Sequence, residues 1–220
     1  MTRPRLLDLF CGAGGAAMGY HRAGFDVVGV DINPQPRYPF EFHAADSFEF
    51  LRLLSFSSDR WGFAAIHASP PCQAYTTGAP GRKRANDHPD LVAETRFYLQ
   101  ATKLPYVIEN VPNAPLVDPI LLCGSTFDLP LIRHRLFELS FDIGLVPSLC
   151  PQSSWRRGVA HRGRYAYAHG KGWHENWRRH VIPAVWPWME DVESEAGQAI
   201  PPAYTEYIGA RLLEHLESAS

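Results

Sequence analysis

The sequence of 220 residues predicts an α/β fold, in which a doubly wound and mostly parallel β-sheet is covered by helices on both faces. Segments with strand and helix character alternate through the first half of the chain, and the strand segments are mainly apolar instead of alternating between polar and apolar residues. Strands of that kind are typical of a parallel sheet buried on both faces. Polar or glycine residues directly follow several strands, at the rim where open α/β sheets bind ligands: Gly12, Asp31, Asp46, Cys72 and Glu109.

The elements follow from local signals. Gly24 ends the first helix, Ser47 is a candidate N-cap for the second, and Pro70-Pro71 interrupts the fourth strand. Strands are predicted over residues 5–10, 26–30, 41–45, 63–67 and 105–108. Helices are predicted over residues 16–23, 48–54, 90–103 and 202–216.

Composition excludes several classes of protein. The chain is 45% hydrophobic and 20% charged, as expected for one globular domain with a small appendage. Its four cysteines form no CxxC pair, which favours a reducing, cytoplasmic compartment. No apolar run approaches about 20 residues, so no membrane span is predicted. Nothing in the sequence indicates an obligatory protein partner.

Charge and aromatic residues divide the chain into three predicted parts. Residues 1–140 form a catalytic and cofactor-binding domain, 141–180 a small irregular lobe, and 181–220 a segment that returns to the first domain. The stretch 151–180 carries a charge of +6 within a chain of −2. Five aromatic residues are interleaved with the arginines: Trp155, Tyr165, Tyr167, Trp173 and Trp177. Basic and aromatic residues together predict contact with a polyanion such as nucleic acid.

A glycine-rich turn, Cys11 to Gly15, follows the first strand and opens the first helix. Such a turn lets a ligand approach the backbone, and Asp31 at the end of the second strand is suited to accept hydrogen bonds from ribose hydroxyls. The two features together indicate an adenosine-containing ligand. Taken singly, the turn could be purely structural and Asp31 a solvated carboxylate.

Cys72 follows two prolines that stiffen the chain, and it precedes the polar Gln73. A cysteine held at a strand end in a cleft can act as a nucleophile, provided that its thiolate is favoured. This setting is less typical of a cysteine that only fills the core. The following loop, residues 75–88, contains Arg82-Lys83-Arg84 and suits closure over a polyanion, although a plain solvated loop has the same composition.

Glu109 follows an apolar strand, so its neutral form is favoured and it can act as an acid. Arg133 and Arg135 flank His134 in a segment with strand character, and residues i and i+2 of a strand share a face. Two guanidinium groups could therefore reach one carboxylate, phosphate or base oxygen. The alternatives are a strand-end carboxylate and an exposed arginine pair.

These motifs, in this order, resemble those of the cytosine-5 DNA methyltransferase family. The matching segments are Asp8 to Gly15, Pro71-Cys72-Gln73, Glu109-Asn110-Val111, Arg133-His134-Arg135 and Gly197 to Pro202. The resemblance implies a Rossmann-like fold that uses S-adenosylmethionine to methylate carbon 5 of a cytosine flipped out of double-stranded DNA.

The resemblance also implies residue roles. The Cys72 thiolate adds to carbon 6 of cytosine, Glu109 hydrogen-bonds ring nitrogen 3, and Arg135 binds the exocyclic oxygen while Arg133 orders the site. The implied cofactor residues are Phe10, Gly12, Gly14, Asp31, Ile32, Asp46, Pro71, Leu91 and Gln198. The expected DNA-binding residues are Gln73, Arg82, Lys83, Arg84, Arg156, Arg157, Arg162 and Arg164.

Some positions depart from the family pattern. Leu131 stands where glutamine is usual, Gln198 replaces asparagine, and the lobe of about 40 residues is far smaller than in restriction-type members. The small lobe predicts a short or relaxed target sequence and fits an orphan, phage-type enzyme acting on host or phage DNA.

Two other functions remain open at the level of sequence. The enzyme could methylate tRNA, as one branch of the family does, or the chain could be a catalytically silent DNA-binding relative. A zinc site of Cys123, Cys150, His161 and His169 is disfavoured, because the spacing matches no standard ligand pattern, and no metal is predicted.

Overall fold

A computed structural model of the chain describes residues 2–56, 59–75, 89–146, 150, 166–167, 181–189 and 193–219. The described strands, numbered along the chain, are β1 (Arg5–Leu9), β2 (Asp26–Asp31), β3 (Glu41–Ala44), β4 (Phe63–Ala68), β5 (Tyr106–Asn110), β6 (Ile120–Cys123), β7 (Leu131–Ile132), β8 (His134–Leu139) and β9 (Ala166–Tyr167). The helices are α1 (Gly15–Ala23), α2 (Ser47–Ser55), α3 (Val92–Thr102), α4 (Ile182–Val185), α5 (Glu193–Ala196) and α6 (Pro202–Ser218). Two 3₁₀ turns span Arg60–Gly62 and Gly124–Phe127.

Seven strands form one mixed sheet in the order β3-β2-β1-β4-β5-β8-β6. Strands β1 to β5 are parallel to one another, whereas β8 runs antiparallel to both β5 and β6. A separate two-stranded sheet pairs β7 with β9. The predicted α/β class with a mostly parallel sheet is confirmed, and the antiparallel edge is the part that the sequence pattern did not indicate.

Successive residues of the central strands point into two different cores, which is the doubly wound arrangement. In β1, Leu6 belongs to the core that α1 and α6 cover, and Leu7 belongs to the core that α2 and α3 cover. Both side chains are fully buried, and this explains why the central strands carry apolar residues on both faces. Within the described ranges no helix combines the length and apolar character that a membrane span requires.

Two details of the predicted elements need correction. Asp46, not Ser47, caps α2: its carboxylate accepts hydrogen bonds from the backbone N–H groups of Phe48 and Glu49. The Ser47 hydroxyl instead accepts a hydrogen bond from the N–H of Phe10. Glu109 lies within β5 and not beyond its end, because the antiparallel pairing with β8 continues through the next residue, Asn110.

Helices α1 and α6 approach each other at glycines. A Cβ atom at Gly19 would lie 2.0 Å from Oγ1 of Thr205 and 2.2 Å from the carbonyl oxygen of Pro202. The Thr205 hydroxyl also donates to the carbonyl of Ala16, so the contact is specific as well as close. Only glycine fits at this crossing.

Replacing Gly19 by alanine is therefore expected to lower the free energy of unfolding by about 3 kcal/mol, the upper range for overpacking a tight core. Urea denaturation measures this change. Gly144→Ala is the matched control. A Cβ there meets nothing within 4 Å, so the only expected loss of stability comes from placing alanine in a left-handed backbone conformation (φ 68°). Equal losses in the two variants would contradict the tight α1–α6 contact.

Candidate active site

Cys72 lies on a turn that is anchored to two neighbouring strands. The N–H of Ser69, just beyond β4, donates to the carbonyl of Leu9 at 3.1 Å. The side-chain amide of Asn110 donates to the carbonyl of Pro70 at 2.9 Å, and this contact is buried. Cys72 itself is partly exposed, and its carbonyl accepts a hydrogen bond from the N–H of Tyr75. The backbone of Cys72 is thus fixed at the rim of the sheet, and the residue is partly accessible from outside.

The side chain of Glu109 is buried and makes an ion pair with Arg135, in which Nε and Oε1 are 2.9 Å apart. Burial raises the pKa of this carboxyl above its ordinary value, while Arg135, a hydrogen bond from Ser69 and the charge of Arg133 all oppose the rise. The predicted acid in a desolvated pocket is therefore present. Arg135 is the cation that it contacts.

Ser69 connects Glu109 to a chain of buried hydrogen bonds that the sequence did not reveal. The Ser69 hydroxyl and Nε2 of His67 are 2.9 Å apart, and Nδ1 of His67 lies 3.0 Å from the hydroxyl of Tyr20 in α1. Burial lowers the pKa of His67 to about 3, so its ring is neutral, with one donor and one acceptor nitrogen. A neutral ring of this kind links the Tyr20 hydroxyl of α1 to Ser69 by hydrogen bonds, and Ser69 in turn hydrogen-bonds Glu109.

Arg133 and Arg135 are close in space but have different partners. Arg133 precedes β8 and donates from Nη2 to the carbonyl of Gly197 at 2.9 Å. Its backbone carbonyl accepts a hydrogen bond from the hydroxyl of Tyr204. The sequence predicted that the two arginines share a strand face, but the strand begins at His134, and among the described contacts only Arg135 forms an ion pair with the carboxylate.

Three charged groups act on the Cys72 thiol. Burial raises its pKa above the ordinary value, Glu109 adds to that rise, and Arg135 and Arg133 lower it. Burial is the largest of these effects, so the thiol is the resting form and the free protein does not favour the thiolate that the sequence analysis required. Because Glu109 opposes thiolate formation through its negative charge, neutralising that carboxylate favours the nucleophilic form.

The glycine-rich turn and Asp31 meet as predicted. The N–H of Gly12 donates to Oδ2 of Asp31 at 3.1 Å, and the N–H of Asn33 donates to Oδ1 at 2.9 Å. Phe10, Gly12 and Gly14 all have positive φ values, of 56°, 49° and 84°. A left-handed backbone at the non-glycine Phe10 is unusual, and strained turns of this kind are concentrated at functional sites.

Two further predicted cofactor residues lie on the same rim. Asp46 follows β3, the strand beside β2, and the ring of Phe48 in the helix that Asp46 caps lies 5.5 Å from the ring of Phe10. Ile32, directly after β2, leaves 66% of its surface exposed. An exposed apolar side chain beside two carboxylates suits a ligand that has both a flat ring and hydroxyl groups.

The other predicted site residues are only partly described. Pro71 and Gln198 are exposed and Leu91 is half-buried, and their contact with a cofactor stays a prediction. Gln73 is exposed next to Cys72. The remaining DNA-binding candidates lie outside the described residues: Arg82, Lys83, Arg84, Arg156, Arg157, Arg162 and Arg164. Tyr75 and Asp90 flank the segment that contains Arg82, Lys83 and Arg84. The Tyr75 hydroxyl donates a hydrogen bond to the carboxylate of Asp90.

Solved structures with the same architecture identify the fold. The chain aligns with the Dnmt2 methyltransferase of S. pombe at a TM-score of 0.56 and 15% identity, over 97% of this chain and 99% of that one. It aligns with the Entamoeba histolytica methyltransferase EhMeth at a TM-score of 0.54 and 13% identity, over 100% and 99%. The chain has a methyltransferase fold. These identities are too low to transfer more than the fold.

Sequence matches are shorter. The chain is 60% identical over 35 residues to the type II methyltransferase M.XorII of Xanthomonas oryzae pv. oryzae, which is 16% of this chain and 8% of that protein. A DNA modification methyltransferase encoded within a prophage (E. coli) aligns at 24% identity and a TM-score of 0.46, over 61% of this chain and 45% of that one. The chain thus spans less than half the length of these two proteins. No model of a protein family matches it.

Proposed function

We propose that this protein transfers a methyl group from S-adenosylmethionine to carbon 5 of a cytosine in double-stranded DNA. One observation carries the proposal: a rigidly held thiol, a buried carboxyl group and an arginine act on each other at the rim where the glycine-rich turn also lies. The methyltransferase fold and the short match to a type II methyltransferase support the same reaction class.

The rim fits S-adenosylmethionine. A Cβ atom built at Gly12 meets nothing within 4 Å, so the backbone of the turn is open to a ligand. The carboxylate of Asp31 suits the ribose hydroxyls, and the exposed side chain of Ile32 suits the adenine ring. Phe10 and Asp46 complete the proposed cofactor site. When bound, the cofactor supplies an electrophilic methyl group on a positively charged sulfur.

Cytosine carbon 5 is too weakly nucleophilic to accept that methyl group unaided. In the proposed reaction, the Cys72 thiolate donates an electron pair to carbon 6 and forms a sulfur–carbon bond, while Glu109 donates a proton to ring nitrogen 3. The electron pair of the former carbon 5–carbon 6 double bond then forms the bond from carbon 5 to the methyl carbon, while the bond from that carbon to the donor sulfur breaks and leaves its electron pair on the sulfur. Arg135 holds the exocyclic oxygen, on which negative charge develops.

The product is released by reversal of the addition. The proton on carbon 5 leaves to solvent, its electron pair restores the double bond to carbon 6, and the thiolate of Cys72 departs. Ring nitrogen 3 returns its proton to Glu109, which regenerates the acid. Since carbon 5 is buried within a base pair, the cytosine must leave the duplex before Cys72 can reach it. The partial exposure of Cys72 at the rim is compatible with such an extruded base.

Labelled S-adenosylmethionine, offered with duplex DNA and separately with tRNA, tests the substrate. We expect label in 5-methyl-2′-deoxycytidine from DNA, identified by nucleoside mass spectrometry, and none with Cys72→Ser. Methylation confined to tRNA would leave the chemistry in place and overturn the DNA substrate. Label on an exocyclic nitrogen of cytosine or adenine would overturn the chemistry itself.

Bisulfite sequencing of DNA from cells that express the protein tests the target. The lobe of about 40 residues predicted over 141–180 offers few contacts for base readout, so we expect a short or relaxed recognition sequence. Modification restricted to a long, strict site would contradict this expectation.

A further inference from the structure

A cluster of three metal-ligand side chains lies outside the proposed reaction. The sulfur atoms of Cys123 and Cys150 and a ring nitrogen of His134 all lie within 4.8 Å of one another. Both cysteines are buried and reduced, and His134 is partly buried. Soft thiolates combined with an imidazole are the donor set that proteins use for zinc.

The fold brings these residues together by strand pairing. Cys123 is the last residue of β6 and is the direct antiparallel partner of His134, the first residue of β8. Directly opposed residues on such strands project to the same face, with their Cβ atoms about 5 Å apart. Cys150, from the segment after β8, contributes the second thiol to the same small buried cluster.

Ser125 supplies a second, independent feature. Its hydroxyl lies 3.2 Å from the sulfur of Cys123 and 3.1 Å from that of Cys150, so one donor contacts both sulfur atoms. Hydrogen bonds from neighbouring groups orient and stabilise thiolate ligands in metal sites. The turn Gly124–Phe127 therefore holds the two thiols facing one another and His134.

We propose that Cys123, His134 and Cys150 bind a zinc ion, with water at the fourth coordination position. Tetrahedral zinc bound to sulfur and nitrogen at about 2.3 and 2.0 Å has ligand atoms roughly 3.5–3.8 Å apart, so shifts of about 1 Å close the cluster around the ion. The two thiols release their protons on binding. Two thiolates, a neutral imidazole and Zn²⁺ have no net charge, which suits a buried site.

The proposed ion would join β6, β8 and residue 150, next to the arginine pair. His134 lies between Arg133 and Arg135 in the chain, so a bound ion would restrict the start of β8 without contacting substrate. The role proposed for the ion is structural. The alternative state of the same sulfur atoms is a disulfide between Cys123 and Cys150, which alkylation of the reduced protein distinguishes from a metal site.

Metal content and cobalt substitution test the site in the full chain. Protein purified under reducing conditions is expected to contain close to one zinc per chain, and Co²⁺ added to the metal-free protein should give the charge-transfer and visible bands of tetrahedral thiolate coordination. Cys123→Ser and Cys150→Ser should each weaken zinc binding by at least about 100-fold, and Ser125→Ala by about tenfold. Cys72→Ser, which removes a thiol outside the cluster, should leave zinc binding unchanged.

Differential alkylation gives a readout that needs no variant. Zinc should protect Cys123 and Cys150 from an alkylating reagent in the folded wild-type protein, and should not protect Cys72. Absence of zinc after reconstitution, a cobalt spectrum without thiolate bands, or a Cys123–Cys150 disulfide in the protein kept under reducing conditions would each overturn the proposal. None of these results depends on methyl transfer, so they are independent of the proposed reaction.

Discussion

Replacing Cys72 by serine is expected to abolish methyl transfer, with a loss on the order of 10⁴-fold or more, the scale seen when a covalent enzyme loses its nucleophile. Serine keeps the size of the side chain and the hydrogen bond from Tyr75 to the backbone carbonyl of residue 72. Its hydroxyl is a far weaker nucleophile than a thiolate, and nothing else in the described rim can form the bond to carbon 6. Incorporation of labelled methyl groups into DNA measures the loss.

A trapped covalent adduct between the wild-type protein and DNA tests the same role of Cys72 by a gain of signal. DNA that contains 5-fluorocytosine blocks loss of the substituent at carbon 5, so wild-type protein should remain covalently attached to it. Cys72→Ser should form no adduct, yet should bind S-adenosylmethionine and unfold at the same temperature as the wild type. An adduct in the variant, or methylation near the wild-type rate, would remove Cys72 from the reaction.

Replacing Glu109 by glutamine is expected to slow methyl transfer by about 10²–10⁴-fold, the usual contribution of a positioned acid. Glutamine preserves the shape of the side chain and can still accept a hydrogen bond from Arg135, but it cannot give a proton to the cytosine ring. Single-turnover rates separate this loss from weaker DNA binding. A variant that affected only the KM for DNA would contradict the role of Glu109 as an acid.

The same substitution has an expected effect on stability. Burial raises the pKa of Glu109 in the folded protein, so as the pH rises the unfolded chain loses its proton first. The folded state then loses stability across the window between the ordinary pKa of 4.5 and the raised one. Glu109→Gln should remove this part of the pH dependence, and urea denaturation at a series of pH values measures the difference. An unchanged pH dependence would show that the carboxyl group is not desolvated.

The sheet and the rim could be predicted from the sequence, because they depend on local patterns. Apolar segments identified β1 to β5, and the residues at or just after their ends, such as Asp31 and Cys72, do lie along one edge of the sheet. Most ends of the predicted helices differ from the observed ends by one or two residues, and the others coincide. The cap of α2 was misassigned because Asp46 and Ser47 are both good capping residues, and only the contact with Phe10 separates them.

The remaining features depend on residues that are distant in the sequence. The hydrogen bonds from Tyr20 through His67 to Ser69 cross from a helix to a strand, and no spacing rule connects them. His134 was missed as a possible metal ligand for the same reason, since it reaches Cys123 only through the antiparallel pairing of β6 and β8. His161 and His169, which the sequence analysis considered for that site, lie outside the described residues.

The environment of Arg133 has a consequence for how the protein matures. Its side chain binds the carbonyl of Gly197 and its own carbonyl binds Tyr204, across separations of 64 and 71 residues. A ribosome-bound chain that has completed β8 contains Arg133 but still lacks both partners, and contacts between such distant segments form slowly. Arg133 therefore cannot take up its final contacts until the chain has been synthesised through residue 204, so the arginine side of the rim is completed only when the C-terminal segment is in place.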